Sequence, residues 1–302
     1  MLTSEEKQSN VMFFIHGGGW KAGSSQQQAQ VRFLSYLANE GWLVLVTNYN
    51  KNQKWPRHID DVYASFLWAS QNLMYGEGGA EDLIKNVTIS GASAGGQLAT
   101  LLLIRLLKEE SRNIKQQQQQ QQQQQMKFTS CVLFYPCLDP IDDLKATARF
   151  PFSFPCLRIR CNQSILSWFY QNVVLHNDLS CWESSSPLRL LLSDDYRDVA
   201  AAFPPTVCIH GDLDSIVPVE HSLALLYVLR NAKMPVVNEL VCGIMPMRSE
   251  DIAFVLAGCK HSFELFATEE LNETIRNVFD WLNLVNKTKL KLKKEKNEEN
   301  KE

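Results

Sequence analysis

A serine stands between small residues in the segment Gly91-Ala92-Ser93-Ala94-Gly95, which fits the pattern G-x-S-x-G. The segment follows an apolar run, Val87–Ser90, that predicts a strand, and it precedes a long helical stretch. On a sharp strand-to-helix turn the serine hydroxyl stands clear of the sheet, and small neighbours let the backbones approach. The free N–H groups at the helix start also favour negative charge there. We therefore interpret Ser93 as a nucleophile rather than as part of a chance Gly/Ser-rich helix start.

Three consecutive glycines follow the first predicted strand, in His16-Gly17-Gly18-Gly19-Trp20. Glycines allow a loop to present backbone N–H groups to a cavity without obstruction by side chains. An oxyanion hole needs such donors at about 2.7–3.1 Å from the oxygen that becomes negative. We expect the amides of Gly17, Gly18 and Ala94 to supply them, with His16 supporting the loop. A phosphate-binding loop is the alternative, but the sequence has neither GK[ST] nor GxGxxG.

A serine nucleophile also needs a base and a carboxylate that orients the base. Three histidines, His210, His221 and His261, lie far enough downstream of Ser93 to be considered. His210 ends a predicted strand and His221 lies in a predicted helix. His261 stands in a loop between the last predicted strand and the last predicted helix, from which it can reach over the sheet. We predict that His261 is the base.

Two aspartates follow the predicted strand Thr206–His210, and either could orient the base. Asp212 comes directly after a turn glycine, where a role in the turn is the ordinary explanation. Asp214 lies two residues further along and is better placed to meet a histidine from the next loop. We choose Asp214 as the acid and keep Asp212 as the alternative.

The elements that must position these residues appear as short β-branched runs alternating with longer helical patterns. The predicted strands are Val11–Ile15, Leu43–Asn48, Val87–Ser90, Cys131–Tyr135, Thr206–His210 and Val236–Val241. The predicted helices cover about Gln26–Glu40, His58–Met74, Ala94–Glu109, Ser164–His176, Glu220–Asn231 and Glu269–Val285. Several strands are almost continuously apolar, as parallel strands covered on both faces must be. The sequence therefore predicts an α/β fold with a doubly wound, mostly parallel sheet and helices on both faces.

Three segments depart from this alternation. Residues Leu138–Ala202 contain one clear helix and many prolines and aromatic residues, which predicts an inserted lid subdomain rather than a long loop. Gln116–Gln125 is an unbroken polyglutamine run with no apolar face, and we expect a solvated helix-to-strand loop at the edge opposite the ligand-binding end. The charged tail, residues 286–302, is expected to extend the last helix beyond a single domain over residues 1–285.

The composition of the 302 residues excludes several classes of protein. The chain is 45% apolar and 21% charged with a net charge of −3, close to the average for soluble globular proteins. No apolar stretch reaches the roughly 18–20 residues of a membrane helix, and the charge indicates no nucleic-acid partner. No secretory signal is visible, and none of the eight cysteines forms a CxxC pair. We expect a cytoplasmic protein with reduced thiols and no integral membrane segment.

Jointly, the motifs resemble the α/β-hydrolases, specifically the hormone-sensitive-lipase-like esterase branch. The resemblance runs from about Val11 to Leu282 and rests on His16–Trp20, Trp55–Val62, Gly91–Gly96, Ser186–Leu188, His210–Pro218 and His261–Phe263. It implies hydrolysis of small-molecule carboxylic esters through an acyl-enzyme, with a Ser93–Asp214–His261 triad and without a metal or organic cofactor. It also implies an acyl-binding lid at Leu138–Ala202. The family usually has two further strands before the glycine loop, so we expect an exposed sheet edge here.

Two other functions stay open at this stage. The His-Gly-Gly-x-Trp loop is also similar to that of kynurenine formamidase, and formamides need the same machinery as esters. The other is a catalytically inactive hydrolase fold that serves as a binding protein. The filled triad positions and the intact glycine loop count against that second alternative. The oligomeric state does not follow from the sequence.

Overall fold

Six parallel strands form one sheet in the computed structural model, which describes residues 10–28, 32–74, 86–116, 128–141, 163–233, 251–263 and 268–299. The strands are β1 (Asn10–Ile15), β2 (Leu43–Thr47), β3 (Asn86–Ala92), β4 (Phe128–Phe134), β5 (Thr206–Gly211) and β6 (Ile252–Leu256). They lie in the order β2-β1-β3-β4-β5-β6, and every neighbouring pair is parallel. Parallel strands require crossover connections, which here contain helices. The predicted α/β fold is confirmed.

The helices lie between and after these strands. They are α1 (Ser25–Gln28), α2 (Arg32–Asn39), α3 (Arg57–Ala69), α4 (Ala94–Gln116), α5 (Gln163–Phe169), α6 (Trp182–Ser185), α7 (Pro187–Leu192), α8 (Arg197–Ala202), α9 (Glu220–Lys233) and α10 (Glu269–Glu299). A π-helical turn continues α3 over Ser70–Met74, and another continues α5 over Tyr170–Val174. Among the described residues, no helix combines the length and the apolar character that crossing a membrane requires.

Two apolar cores lie on opposite faces of the sheet because successive strand side chains alternate in direction. Phe13 of β1 packs into a core that contains residues of α3, α4 and α9. The next residue, Phe14, packs into the other core, with residues of α2 and α10. Both rings are buried, and every residue of β3 is buried as well. Coverage on both faces is the reason that these strands are almost continuously apolar.

Five of the predicted strands begin and end within three residues of the observed ones. The sixth, Val236–Val241, lies outside the described residues, and the strand beside β5 is Ile252–Leu256, which we did not predict. Between Leu138 and Ala202 the described part contains several short helices instead of one. The last helix continues from Glu269 to Glu299, so within the described residues the charged tail extends it as expected. Most of the polyglutamine run also lies outside the described residues.

Because the strands are parallel, the candidate functional residues lie together at the carboxyl ends of the strands. The glycine loop follows β1, Ser93 follows β3, Asp214 follows β5 and His261 follows β6. Ligands bind at this end of the strands in open parallel sheets. The end of α4 and the start of β4, which flank the glutamines, lie at the amino ends of the strands.

Candidate active site

Ser93 lies in a left-handed turn between β3 and α4, with a φ of 54°. This conformation is unfavourable for a residue other than glycine, so the surroundings must hold it. The Ser93 N–H donates to the carbonyl oxygen of Phe134 at 2.9 Å, and its own carbonyl accepts from the Gly96 N–H at 2.9 Å. A Cβ on Gly95 would overlap the carbonyl oxygen of Ile15. Glycine at this position therefore lets the start of α4 lie directly against the end of β1.

A continuous chain of hydrogen bonds joins Ser93, His261 and Asp214. The Ser93 Oγ lies 3.0 Å from His261 Nε2, and His261 Nδ1 lies 2.7 Å from Asp214 Oδ2. A carboxylate can only accept hydrogen bonds, so His261 Nδ1 carries a hydrogen and Nε2 is available to accept one from Ser93. The structure thus brings together the three residues chosen from the sequence. The arrangement can activate a hydroxyl by general-base assistance.

The Asp214 carboxylate is almost completely buried and saturated with donors. Its Oδ1 accepts from the backbone N–H groups of Ile216 and Val217, each at 2.9 Å. Its Oδ2 faces two imidazoles, those of His261 and His210. Burial raises the pKa of the Asp214 carboxyl, but the hydrogen bonds and positive charge that the two histidines offer lower this pKa overall. Asp214 is therefore ionised at neutral pH despite its burial.

Asp212, the alternative acid, contacts a different part of the molecule. Its Oδ1 accepts a hydrogen bond from the Gly258 N–H at 2.7 Å, and its own N–H donates to Leu256 at 3.0 Å. Both contacts tie the turn after β5 to the turn after β6. The structure therefore gives Asp212 a role in loop geometry and places Asp214 on His261.

The glycine loop lies beside Ser93. A Cβ on Gly17 would lie 2.9 Å from the carbonyl oxygen of Ala92 and 3.5 Å from Ser93 Cβ. Gly18 has a φ of 113°, a conformation that glycine adopts without strain. Ala94 begins α4, so its N–H is one of the helix-terminal donors without a partner in the helix. The amides predicted to stabilise an oxyanion are thus close to the nucleophile or in the loop beside it.

His16 holds the glycine loop through a hydrogen bond to its backbone. Its Nδ1 donates to the Gly17 carbonyl at 2.6 Å, and its ring stacks on Tyr49 with centroids 4.4 Å apart. The Tyr49 hydroxyl donates to the His16 carbonyl at 3.3 Å. Burial lowers the pKa of His16, so the ring is neutral and serves the loop as a hydrogen-bond donor.

Gln97 connects the glycine loop to the predicted lid. Its Oε1 accepts a hydrogen bond from Trp20 Nε1 at 2.9 Å. Its Nε2 donates to the Tyr170 hydroxyl and to the Ser185 carbonyl, each at 2.7 Å. All four residues are buried, and they come from the loop, α4, the π-helical turn and α6. One amide therefore joins three parts of the site's surroundings.

Sequence reasoning assigned no site role to two residues that lie beside the predicted base and acid: it did not single out Tyr135, and it considered His210 only as a base. Tyr135 directly follows β4 with a φ of 34°, and its ring centroid lies 4.4 Å from that of His261. His210 contacts the same oxygen of Asp214 as His261 does, with its Nε2 at 3.3 Å from Oδ2. Tyr135 stood at the carboxyl end of a predicted strand, which is the signal that could have placed it at this end of the sheet. Among the described residues, no group of three or more histidine, cysteine or acidic side chains could hold a metal ion.

The sequence is similar to one protein family and to several hydrolytic enzymes. The family model BD-FAE matches residues 1–229. LipM, a probable carboxylic ester hydrolase of Mycobacterium tuberculosis, is 28% identical over 75% of this chain and 46% of its own length. Arylacetamide deacetylase of the mouse, Mus musculus, is 30% identical over 48% of this chain and 36% of its own length. This chain therefore spans less than half the length of either relative.

A solved structure shows the same fold. The carboxyl esterase 2 of the fungus Tuber melanosporum superposes with a TM-score of 0.65 at 16% identity. The match covers 92% of this chain and 78% of that one. At this level of identity the likeness concerns the fold, and the chemistry must be argued from the site itself.

Proposed function

Since the chain belongs to the BD-FAE family, we propose that it hydrolyses carboxylic esters with Ser93 as the nucleophile, His261 as the general base and Asp214 as the acid. The observation that carries the proposal is the hydrogen-bond chain from Ser93 Oγ through His261 to Asp214 Oδ2, with distances of 3.0 and 2.7 Å. The names of the relatives as ester hydrolases agree with it.

In the acylation half of the reaction, Ser93 Oγ attacks the ester carbonyl carbon while its proton passes to His261 Nε2. The negative charge of Asp214 stabilises the imidazolium and holds its ring in place. The carbonyl oxygen becomes an oxyanion that the amides of Gly17, Gly18 and Ala94 stabilise. His261 then gives its proton to the leaving alkoxide oxygen, the carbon–oxygen bond breaks, and an acyl-enzyme on Ser93 remains.

The deacylation half uses the same groups in the same order. A water molecule attacks the acyl carbon while His261 Nε2 accepts its proton, and the same amides stabilise the second oxyanion. Collapse of this intermediate returns the proton to Ser93 Oγ and releases the carboxylic acid. Each step uses only residues of this chain and water. We further propose that the helices between Leu138 and Ala202 cover the acyl group, since Gln97 links two of them to the glycine loop.

Hydrolysis of an activated amide is the second candidate, favoured by the similarity to arylacetamide deacetylase over about half of the chain. The same residues would act, with His261 protonating the leaving amine nitrogen. Formamides such as N-formylkynurenine belong to the same class of substrate. A binding protein without catalysis is disfavoured, because a nucleophile, a base and an acid stand in hydrogen-bonding order.

The proposal is tested with Ser93→Ala, assayed with a fluorophosphonate probe and with p-nitrophenyl butyrate, N-formylkynurenine and an arylacetamide. We expect labelling to disappear and turnover to fall about 10⁴-fold or more, because the substitution removes the hydroxyl that forms the acyl-enzyme. Ser90→Ala is the matched control, since the Ser90 hydroxyl is buried and donates to the Val132 carbonyl. Retained labelling in a folded Ser93→Ala variant would refute the assignment. Faster turnover of either amide substrate than of the ester would favour the second candidate.

A further inference from the structure

A second imidazole, that of His210, contacts the same Asp214 oxygen as His261 does. His210 Nε2 lies 3.3 Å from Asp214 Oδ2 and 2.9 Å from the carbonyl oxygen of Val217. On its other side, His210 Nδ1 lies 2.8 Å from Ser222 Oγ. The His210 ring is completely buried.

The partners of His210 determine its tautomer. The Val217 carbonyl and the Asp214 carboxylate can only accept hydrogen bonds, so His210 Nε2 carries the hydrogen and shares it between them. With the hydrogen on Nε2, His210 Nδ1 can accept the hydrogen of the Ser222 hydroxyl. Asp214 Oδ2 consequently receives N–H groups from two imidazoles, one from His261 and one from His210.

We infer that His210 is a positioning residue for the acid, which acts on catalysis only through its hydrogen bond to Asp214. This inference rests on the proposed function, because it concerns how Asp214 holds the base. Two backbone amides hold Oδ1, whereas Oδ2 is held by the two rings. Without His210, Oδ2 would lose one of the two ring N–H groups that hold it, and the direction of the carboxylate would be less defined.

His210 also sets how much negative charge Asp214 offers to His261. A hydrogen bond shared with His210 withdraws electron density from Oδ2, which moderates the attraction between Asp214 and the imidazolium. Loss of this donor would strengthen that attraction, so the base would take up its proton at a higher pH. The expected effect therefore has a sign that a change in packing alone does not predict.

Three ionisable side chains near His210 and Asp214, those of His221, Cys208 and Cys137, are neutral near pH 7 and do not supply this effect. His221 Nδ1 accepts the Leu138 N–H at 2.9 Å, and burial lowers the pKa of His221 to about 3. Burial raises the pKa of Cys208 to about 12 and that of Cys137 well above its usual value. The ring of Tyr135 lies 6.4 Å from His210, centroid to centroid. Among the described residues in contact with His210, Asp214 is thus the group that carries charge.

The test compares three substitutions at His210 in the full chain. In His210→Gln the side-chain amide nitrogen reaches the place of Nε2 and can still donate to Asp214. In His210→Asn the shorter amide replaces Nδ1 and reaches only Ser222. In His210→Leu both the donor to Asp214 and the acceptor for Ser222 are lost. The readouts are kcat and KM for p-nitrophenyl butyrate and the acid-side midpoint of the pH profile of kcat/KM.

We expect His210→Leu and His210→Asn to lower kcat about 10- to 100-fold with KM within about twofold, as misplacement of a catalytic group does. Their acid-side midpoint should rise by about half a pH unit or more, for the reason given above. His210→Gln should restore most of kcat and return the midpoint toward that of the wild type. The control is His58→Leu, which removes another buried histidine, and whose midpoint should not change.

The inference would be overturned if His210→Gln and His210→Asn lowered kcat equally. It would also be overturned if His210→Leu or His210→Asn folded and lost kcat but kept the wild-type midpoint. If His210→Leu does not fold, the comparison of Gln with Asn still decides it, because both are amides of similar size. The proposed function fails separately, through a wild-type protein that hydrolyses no ester or a Ser93→Ala variant that still does. Ester hydrolysis with normal kinetics in His210→Asn would refute only the role of His210.

Discussion

Asp212 and Asp214 lie two residues apart, yet their carboxylates serve different elements. Asp214 accepts from His261 at 2.7 Å, whereas Asp212 accepts from the Gly258 backbone at 2.7 Å. The first contact orients a side chain that is proposed to move a proton. The second fixes one turn against another. Their substitutions should therefore separate catalysis from stability.

Asp214→Asn should lower kcat by about 10³- to 10⁴-fold, because an amide cannot hold the imidazole in the tautomer with hydrogen on Nδ1. Asp212→Asn should leave kcat within about tenfold and lower the free energy of unfolding by about 1 kcal/mol, since one charge-assisted hydrogen bond is weakened. Steady-state kinetics and urea unfolding of both variants measure the two effects. The reverse pattern would make Asp212 the acid.

Among the elements, α4 carries two functional positions one turn apart. Ser93 directly precedes its first residue, and Gln97 lies four residues further on, so the two positions share a helix face. From this face Gln97 contacts the glycine loop through Trp20 and the helices of the predicted lid through Tyr170 and Ser185. The same helix therefore positions the proposed nucleophile and connects the parts of the chain around it.

Gln97→Leu should lower the free energy of unfolding by about 2–3 kcal/mol, because it leaves the buried Trp20 N–H and Ser185 carbonyl without this partner. It should also lower kcat for p-nitrophenyl butyrate, since the glycine loop loses its link to α4. Thr100→Val on the same helix is the control. Its buried hydroxyl donates only to the Gly96 carbonyl of α4, so less than about 1 kcal/mol should be lost. Equal stability losses in the two variants would argue against the connecting role of Gln97.

At the scale of the whole molecule, two buried histidines make the free energy of unfolding depend on pH. Burial lowers the pKa of His58 to about 4 and that of His221 to about 3, against about 6.5 in an unfolded chain. Below pH 6.5 the unfolded chain therefore binds protons that the folded protein does not. The free energy of unfolding must fall as the pH falls from about 6.5 toward 4, and it is unaffected by these groups above that range.

Between pH 7 and pH 5, each of these two histidines should remove about 2 kcal/mol from the free energy of unfolding. His58→Leu should therefore reduce the difference in the free energy of unfolding between pH 7 and pH 5 by about that amount. It should also stabilise the protein at pH 5, since neither nitrogen of His58 has a hydrogen-bond partner within the described part of the chain. Urea unfolding at both pH values measures this. Parallel pH dependences for wild type and variant would contradict the prediction.

The local pattern of the chain was sufficient to predict the fold class and to choose Ser93 as the candidate nucleophile. The alternation of apolar runs and helical periods specifies parallel strands with helical crossovers, because each element must bury its own apolar face. Ser93 was recognisable because a strained turn requires small residues at fixed positions nearby, which is a local requirement. His261 and Asp214 followed from chain order and from the rule that functional loops gather at the carboxyl ends of parallel strands.

Contacts between distant residues were decided only by the tertiary structure. His210 reaches Asp214 because the chain turns back after β5, and Gln97 meets Ser185 across 88 residues of sequence. The position of β6 at Ile252–Leu256 likewise depends on pairing with β5, since another apolar run, Val236–Val241, has the same local character. Periodicity reports which face of an element is buried, whereas the partner on that face depends on the order of the strands and on packing. The sequence by itself therefore predicted five of the six described strands and the candidate reactive groups, and the tertiary structure determined the remaining strand and which side chains hold those groups in place.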